Sequence, residues 1–367
     1  MTRTALTLNI LAFAILFIGY FFTTGASLIG TFGAQTLFRF LALLVFLSNI
    51  ILSGRVIPLK YLFALLATYL ILSISGSTVA VNLVFMLLIL ASTHRLRNDQ
   101  VAVALAIPTA IVVLLHLLLL NTGQLVGYTT DFAGRIRSTL GFANPNQAAA
   151  IYLSLVVVSI YAHIQLKNRA SLLLLTMSYV ATFYVVLATR TRTLMFALAL
   201  IIIFHVLGAV FHRNKTYRAV LRVVGVLVPV FACASTYYLT TYRDPVLDAI
   251  LSGRPFFFSQ FMRGVTLYDF MFGWQSAGVA GVDNLYLMLL SGVGGVAFFL
   301  ILLGCSYLIF RMTPRLIPLV VVLLIVSVFE SFLIRPEIPA SVLFLHLLRS
   351  DVLHKTSSFE DRARQLS

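Results

Sequence analysis

Residues 243–283 read RDPVLDAILSGRPFFFSQFMRGVTLYDFMFGWQSAGVAGVD, the longest interval of the chain that cannot lie in a bilayer as an ordinary spanning helix. Three arginines (Arg243, Arg254, Arg263) and four aspartates (Asp244, Asp248, Asp269, Asp283) stand in it. Elsewhere charge is scarce: 10% of the residues are charged and 60% are apolar. So few charges cannot cover the surface of a soluble domain of 367 residues. The interval is therefore a charged loop set into a polytopic membrane protein, and the fold follows from the apolar runs on either side of it.

A spanning helix needs about 20 mostly apolar residues. That rule places spans near 6–23, 36–53, 58–75, 78–92, 99–120, 147–165, 170–189, 193–211, 219–240, 284–310 and 315–334. A last run, 338–349, follows Pro336 and Pro339 and is short enough to re-enter instead of crossing. The expected fold is all-α: a polytopic integral membrane protein with about 12 (11–12) transmembrane helices, forming one membrane domain over 1–367. Its outer loops are 121–146 and, between spans nine and ten, the large 241–283; residues 350–367 form a cytoplasmic tail.

The formal charge of +15 does not point to nucleic acid. Basic residues flanking membrane helices account for it, and no basic run is long enough to line a nucleic-acid groove. The expected surrounding is the lipid bilayer. Cys233 and Cys305 fall in apolar runs and read as small hydrophobes. The seven histidines show no ligand spacing, so neither a metal cage nor a cofactor is expected. The first apolar run lacks a small-residue cleavage site and reads as an uncleaved span. Phosphate-binding loops, dinucleotide fingerprints and nucleophile elbows are missing from the sequence. Energy for any chemistry would have to arrive in the substrate.

Placing the N-terminus inside puts Lys60, Lys167, Lys215 and Lys355 on the inner side, with most of the arginines. That agrees with the positive-inside bias. The basic residues left outside are Arg39, Arg135, Arg137, Arg190, Arg192, Arg243, Arg254, Arg263 and Arg335, all of them arginine. Snorkelling or salt bridging explains a lone outer arginine. The pairs Arg135/Arg137 and Arg190/Arg192 ask for more. In LATRTRTLMF (187–196) almost no loop separates two apolar helices, so both guanidinia stand at the membrane boundary. In RIRSTLGFANPNQAAAIYLSL (135–155), Asn144 suits a helix N-cap and Pro145 the first helical position. A helix N-terminus beside two arginines is a natural anion site.

Four pieces, LGFANPNQAA (140–149), TRTR (189–192), SGRPFFF (252–258) and GVDNLYLMLLSGVGG (281–295), carry a likeness. In order and loop placement they resemble the bacterial O-antigen and capsule polymerases of the Wzy type and, more distantly, the O-antigen ligases. The likeness covers roughly residues 140–310. It implies a multi-helix protein of the cytoplasmic (inner) membrane whose active site faces the periplasm or outside. It implies transfer of a growing glycan from undecaprenyl diphosphate onto the next undecaprenyl-diphosphate-linked oligosaccharide, with a chain-length regulator and a flippase as associates. The ligases carry a histidine near the position of Asp283, so the aspartate here points to a polymerase. A ligase, or a transporter or flippase of the same lipid-linked sugars, is the alternative; transport predicts internal repeats and broken helices at the membrane midplane.

Glycosyl transfer from a lipid diphosphate needs positive charge at the leaving group, a base for the acceptor hydroxyl and alignment of the two sugars. Arg135, Arg137, Arg190, Arg192 and Arg254 are the expected diphosphate ligands. Asp283 is the expected base, with Asn144, Asn146, Asn284 and Tyr286 binding substrate beside it. An N-cap is the plainer role for Asp283. The transfer is expected to invert configuration and to need no metal. Glu330, near the end of an apolar span, is expected to pair with Arg335. The loop aromatics Phe256, Phe257, Phe258, Tyr268, Phe270, Phe272 and Trp274 suit either stacking on sugars or an interfacial belt, and the belt is expected for most of them. The GVGG run (292–295) is expected to let helices pack closely.

Overall fold

The computed structural model describes residues 2–25, 32–52, 64–69, 78–132, 135–211, 213–242, 244–251, 253–274 and 283–349. The protein is an all-α membrane protein, and one short β-hairpin is the exception among the described residues. Among the described residues, seven helices are long and apolar enough to cross a bilayer: Arg3–Thr23, Gly33–Leu52, Asn98–Asn121, Pro145–Leu166, Arg169–Thr189, Lys215–Thr241 and Leu285–Arg311. Thr78–Ser92, Arg192–Gly208, Ile317–Val326 and Pro339–Arg349 are apolar but shorter. Of the expected span at 58–75, residues 64–69 are described and are helical. The tail at 350–367 lies outside the described residues.

Contacts divide the chain into two compact units. The first comprises Met1–Gly76, Val81–Leu198 and Arg335–Leu343; the second comprises Ser77–Ala80, Ala199–Ile334 and Phe344–Ser367.

In the first unit, helix α1 (Thr2–Tyr20) packs on α2 (Phe32–Leu52) and α4 (Asn98–Asn121). Helix α5 (Pro145–Leu166) lies between α4 and α6 (Arg169–Thr189) and is buried along most of its length. Apolar contact gives little preference in lipid, so polar contacts select neighbours. Asn9 on α1 and Asn49 on α2 both donate to the carbonyl of Ser92, at the end of α3 (Thr78–Ser92), at 3.4 and 3.0 Å. The Ser92 hydroxyl returns a bond to Asn9 Oδ1 at 2.9 Å. The loop 121–146 contains an element that apolar periodicity did not reveal: strands β1 (Thr129–Phe132) and β2 (Arg135–Ser138) pair antiparallel, Thr130 opposite Arg137.

In the second unit, α8 (Lys215–Thr241) packs on α12 (Leu285–Arg311) and α13 (Ile317–Val326). The loop from 241 to 283 contains three short helices: α9 (Pro245–Ile250), α10 (Arg254–Phe261) and α11 (Leu267–Phe272). Phe258 and Phe261 are buried and α10 packs on α8, so these two aromatics anchor the loop. That corrects the belt expectation for Phe258. Tyr268 and Phe272 are exposed, as belt residues are.

Two expected spans are interrupted. Helix α12 breaks at Gly294, whose φ of 76° and ψ of 164° suit glycine alone. Helix α11 docks at the break, where the Trp274 amide donates to the Ser291 carbonyl at 2.9 Å. A Cβ on Gly294 would collide with the Met271 carbonyl oxygen and with the Phe272 backbone. Gly294 and Gly295 of the GVGG run thus make their close approach to a loop helix, and Gly292 makes the expected one to a neighbouring apolar helix, at Val79 of Thr78–Ser92. The span expected at 315–334 is helical only over Ile317–Val326, ten residues or about half the hydrocarbon thickness. Turns and a 3₁₀ segment (Phe332–Ile334) follow, then α14 (Pro339–Arg349), where the run at 338–349 was expected.

Candidate functional site

The expected site residues fall into two groups, one in each unit. The first is built on the N-terminus of α5. Pro145 occupies the first turn, and the Asn144 side chain caps it by accepting from the Asn146 amide at 2.8 Å. The preceding Leu140–Gly141 turn has positive φ at both residues, 52° and 79°. At Gly141 a Cβ would press on Leu125, so the glycine is required twice over. Beneath the turn, the buried His116 of α4 lies 2.8 Å from the Leu140 carbonyl and 2.8 Å from the Tyr152 hydroxyl. Phe142 is buried against its ring. The LGFANPN run is thus a pedestal that fixes where α5 begins.

Arg137 reaches this pedestal from β2. Its Nε donates to the Thr189 carbonyl at 3.1 Å; its Nη2 donates to Asn146 Oδ1 at 3.1 Å and to the Thr191 hydroxyl at 3.0 Å. Three of the five guanidinium donors therefore tie the hairpin to α5 and to the corner after α6. Arg137 and Asn146 hold one another, and the substrate roles expected of both are limited by that bond. Arg135 opens β2 opposite Phe132.

In the corner TRTR, the threonines turn inward and the arginines outward. Thr189 and Thr191 are buried and bonded to one another at 3.0 Å, whereas Arg190 and Arg192 are exposed. Arg190 caps α6 in the left-handed region, φ 48° and ψ 35°, which a non-glycine residue enters at a cost of about 1–2 kcal/mol. Arg192 opens α7 (Arg192–Phe211) one residue beyond Thr191. Two guanidinia are thereby presented at one corner, beside Arg137 and the first turn of α5. Such an array of fixed donors suits an anion with several oxygens.

The second group centres on the start of α12. Asn284, not Asp283, is the N-cap: its Oδ1 accepts from the Leu287 amide at 2.8 Å. Its Nδ2 donates to the Thr236 hydroxyl at 3.0 Å and the Val328 carbonyl at 2.6 Å. Tyr286 is buried and donates to the Leu324 carbonyl at 3.1 Å. Burial with internal partners gives both residues a structural role at the start of α12. Asp283, released from capping, is half-buried and accepts from the Ser331 hydroxyl at 3.4 Å.

Arg254 begins α10 and pairs with Glu330 at 3.0 Å, with the two side chains 16% and 13% exposed. The pairing predicted for Glu330 thus includes a loop arginine far away in sequence. In α11, the Thr266 amide and hydroxyl both donate to Asp269 Oδ2, at 3.0 and 2.7 Å. These bonds hold the Asp269 carboxyl below the ordinary carboxylate range. Asp269 is thereby a helix-capping residue. Arg243 lies outside the described residues.

Among the described residues, no three His, Cys, Asp or Glu side chains gather as a metal site. Sequence reasoning passed over Thr189, Thr191 and His116; the alternation Thr-Arg-Thr-Arg was the one available signal for the first two. It also passed over Glu337, a buried acid paired with Arg39.

No protein-family model, curated protein or solved structure matches the chain.

Proposed function

We propose that the protein is a lipid-diphosphate-dependent glycosyltransferase, a polysaccharide polymerase. In this reading it transfers a growing glycan from undecaprenyl diphosphate onto a lipid-linked oligosaccharide repeat unit. The chain crosses the bacterial cytoplasmic membrane 11–12 times from an inner N-terminus, and the site faces outward. The observation that carries the reading is the corner at 189–192: two exposed arginines held beside Arg137 and a helix N-terminus. Arg190 and Arg192 take the diphosphate oxygens, and Arg137 sets the corner that presents them. Charge fixed in advance where the leaving diphosphate gains charge lowers the barrier without reorganisation. The carboxylate expected to act as base, Asp283, belongs to the second unit, where it is free of capping duty and accepts from the Ser331 hydroxyl.

The test uses the purified full-length chain in detergent with a synthetic undecaprenyl-diphosphate repeat unit. A product ladder spaced by one repeat, lost in folded Arg190→Gln, supports the reading. A folded protein that makes no ladder from several repeat units, but transfers glycan to added lipid A-core, is a ligase. Transport is favoured by a specific observation, the breaks in α12 and after α13, because broken helices recur at transporter binding sites. Flipping of the lipid-linked unit across vesicles, with no transfer in either assay, would establish it.

A further inference from the structure

Glu337 is the buried acid of the first unit. It stands in a turn between Pro336 and Pro339, and the neighbouring residues are buried as well. Its side chain is 2% exposed. Oε1 accepts from the Arg39 guanidinium and from Gln35 Nε2, the latter at 3.3 Å, both from α2. Oε2 is buried and has no protein donor. A carboxylate oxygen taken from water without a hydrogen bond is costly, so this atom is built to receive one. Arg39 is 25% exposed on its side chain, so the pair lies where the interior meets the surface. The turn is tied to α5, whose first turn Arg137 joins to the arginine corner: three residues after Glu337, the Ala340 amide donates to the Ser154 hydroxyl of α5 at 3.2 Å. Ser154 stands eight residues along α5 from Asn146, about 12 Å at helical rise. An oligosaccharide bridges such a distance, and a single phosphate does not.

We infer that Glu337, Arg39 and Gln35 form a subsite for a sugar hydroxyl of the lipid-linked substrate, the hydroxyl donating to Glu337 Oε2. The inference rests on the reading that the substrate is a lipid-linked oligosaccharide. A carboxylate with a guanidinium and an amide beside it offers both an acceptor and donors, as neighbouring hydroxyls of one sugar require. The carboxylate binds and orients; no proton transfer is assigned to it.

Binding of two ligands to the full-length protein separates the possibilities: the synthetic undecaprenyl-diphosphate repeat unit, and undecaprenyl diphosphate without sugar. Glu337→Gln keeps the shape and removes the charge. It is expected to weaken binding of the sugar-bearing lipid by about 10- to 100-fold, the range for a hydrogen bond to a charged group. Binding of undecaprenyl diphosphate alone is expected to stay within threefold of the unsubstituted protein. Equal binding of the sugar-bearing lipid by both proteins overturns the subsite, and so does equal weakening of the two ligands. Where Glu337→Gln does not fold, Glu337→Asp, which retains the charge and withdraws it by one methylene, is read by the same pair of titrations. The ladder assay is scored separately. A sugar-selective loss in a protein that makes no ladder keeps the subsite and refutes the polymerase.

Discussion

The pair of Arg254 and Glu330 allows structure and chemistry to be separated. Replacing Arg254 by Met keeps the length of the stem and removes the guanidinium opposite a carboxylate 3.0 Å away. Breaking a fully buried pair costs about 3–5 kcal/mol, mostly for the charge left behind. Here the side chains are 16% and 13% exposed, so water relieves part of that penalty. The expected loss is about 2–3 kcal/mol, or roughly 4–12 °C in Tm on the scale for larger domains. Adding Glu330→Gln removes the stranded charge and should restore about 1–2 kcal/mol. The assay is thermal unfolding of the four detergent-purified proteins of the cycle, followed through the fluorescence of the sole tryptophan, Trp274. If Arg254 also binds diphosphate, the double variant regains stability and stays inactive; if it is only structural, activity returns with stability. A coupling energy below about 0.5 kcal/mol between the two sites would refute the reasoning, because independent sites behave that way.

Gly294→Ala should undock α11: its Cβ meets the Phe272 Cα at 2.8 Å, and the backbone angles there are open to glycine alone. The expected sign is a red shift of Trp274 emission in protein that still elutes as a monodisperse species. Arg190→Gln and Arg137→Gln should differ in kind. The first is expected to lower polymerisation by more than about tenfold with Tm unchanged, since the side chain is exposed. The second is expected to lower both, by removing three bonds that join β2 to α5 and the α6 corner; equal Tm values would contradict that assignment. Acid should release the first turn of α11. The Asp269 carboxyl titrates lower in the folded protein than unfolded, so its stabilisation is complete above about pH 4 and fades as the pH falls through the depressed value. Trp274 emission read from pH 6 to pH 3 should show this step, and Asp269→Asn should abolish it.

The apolar runs alone determined that this is an all-α membrane protein and where most of its long helices lie. The helices Thr78–Ser92, Arg169–Thr189 and Leu285–Arg311 fall within a residue of the runs that predicted them. That legibility has a physical cause: in lipid each backbone amide must be satisfied within its own segment, so composition and helix are nearly the same statement. Asn144 and Pro145 were legible for a similar reason, because a cap is a local bond between neighbours. Partnerships across the fold were not legible. An arginine supplies the same fork to a phosphate, a carbonyl or a carboxylate. Only tertiary contact decided that Arg137 is bonded to Thr189, Thr191 and Asn146, that Arg254 faces Glu330, and that Asn284 rather than Asp283 caps α12. The interruption of α12 at Gly294 belongs to the same class. Glycine within an apolar run permits close packing and a break alike, and the docking of α11, which lies upstream of α12 in the chain, selects the break. Local bonding and the hydrophobic pattern are written in single segments. The pairing of charges is a property of which segments meet.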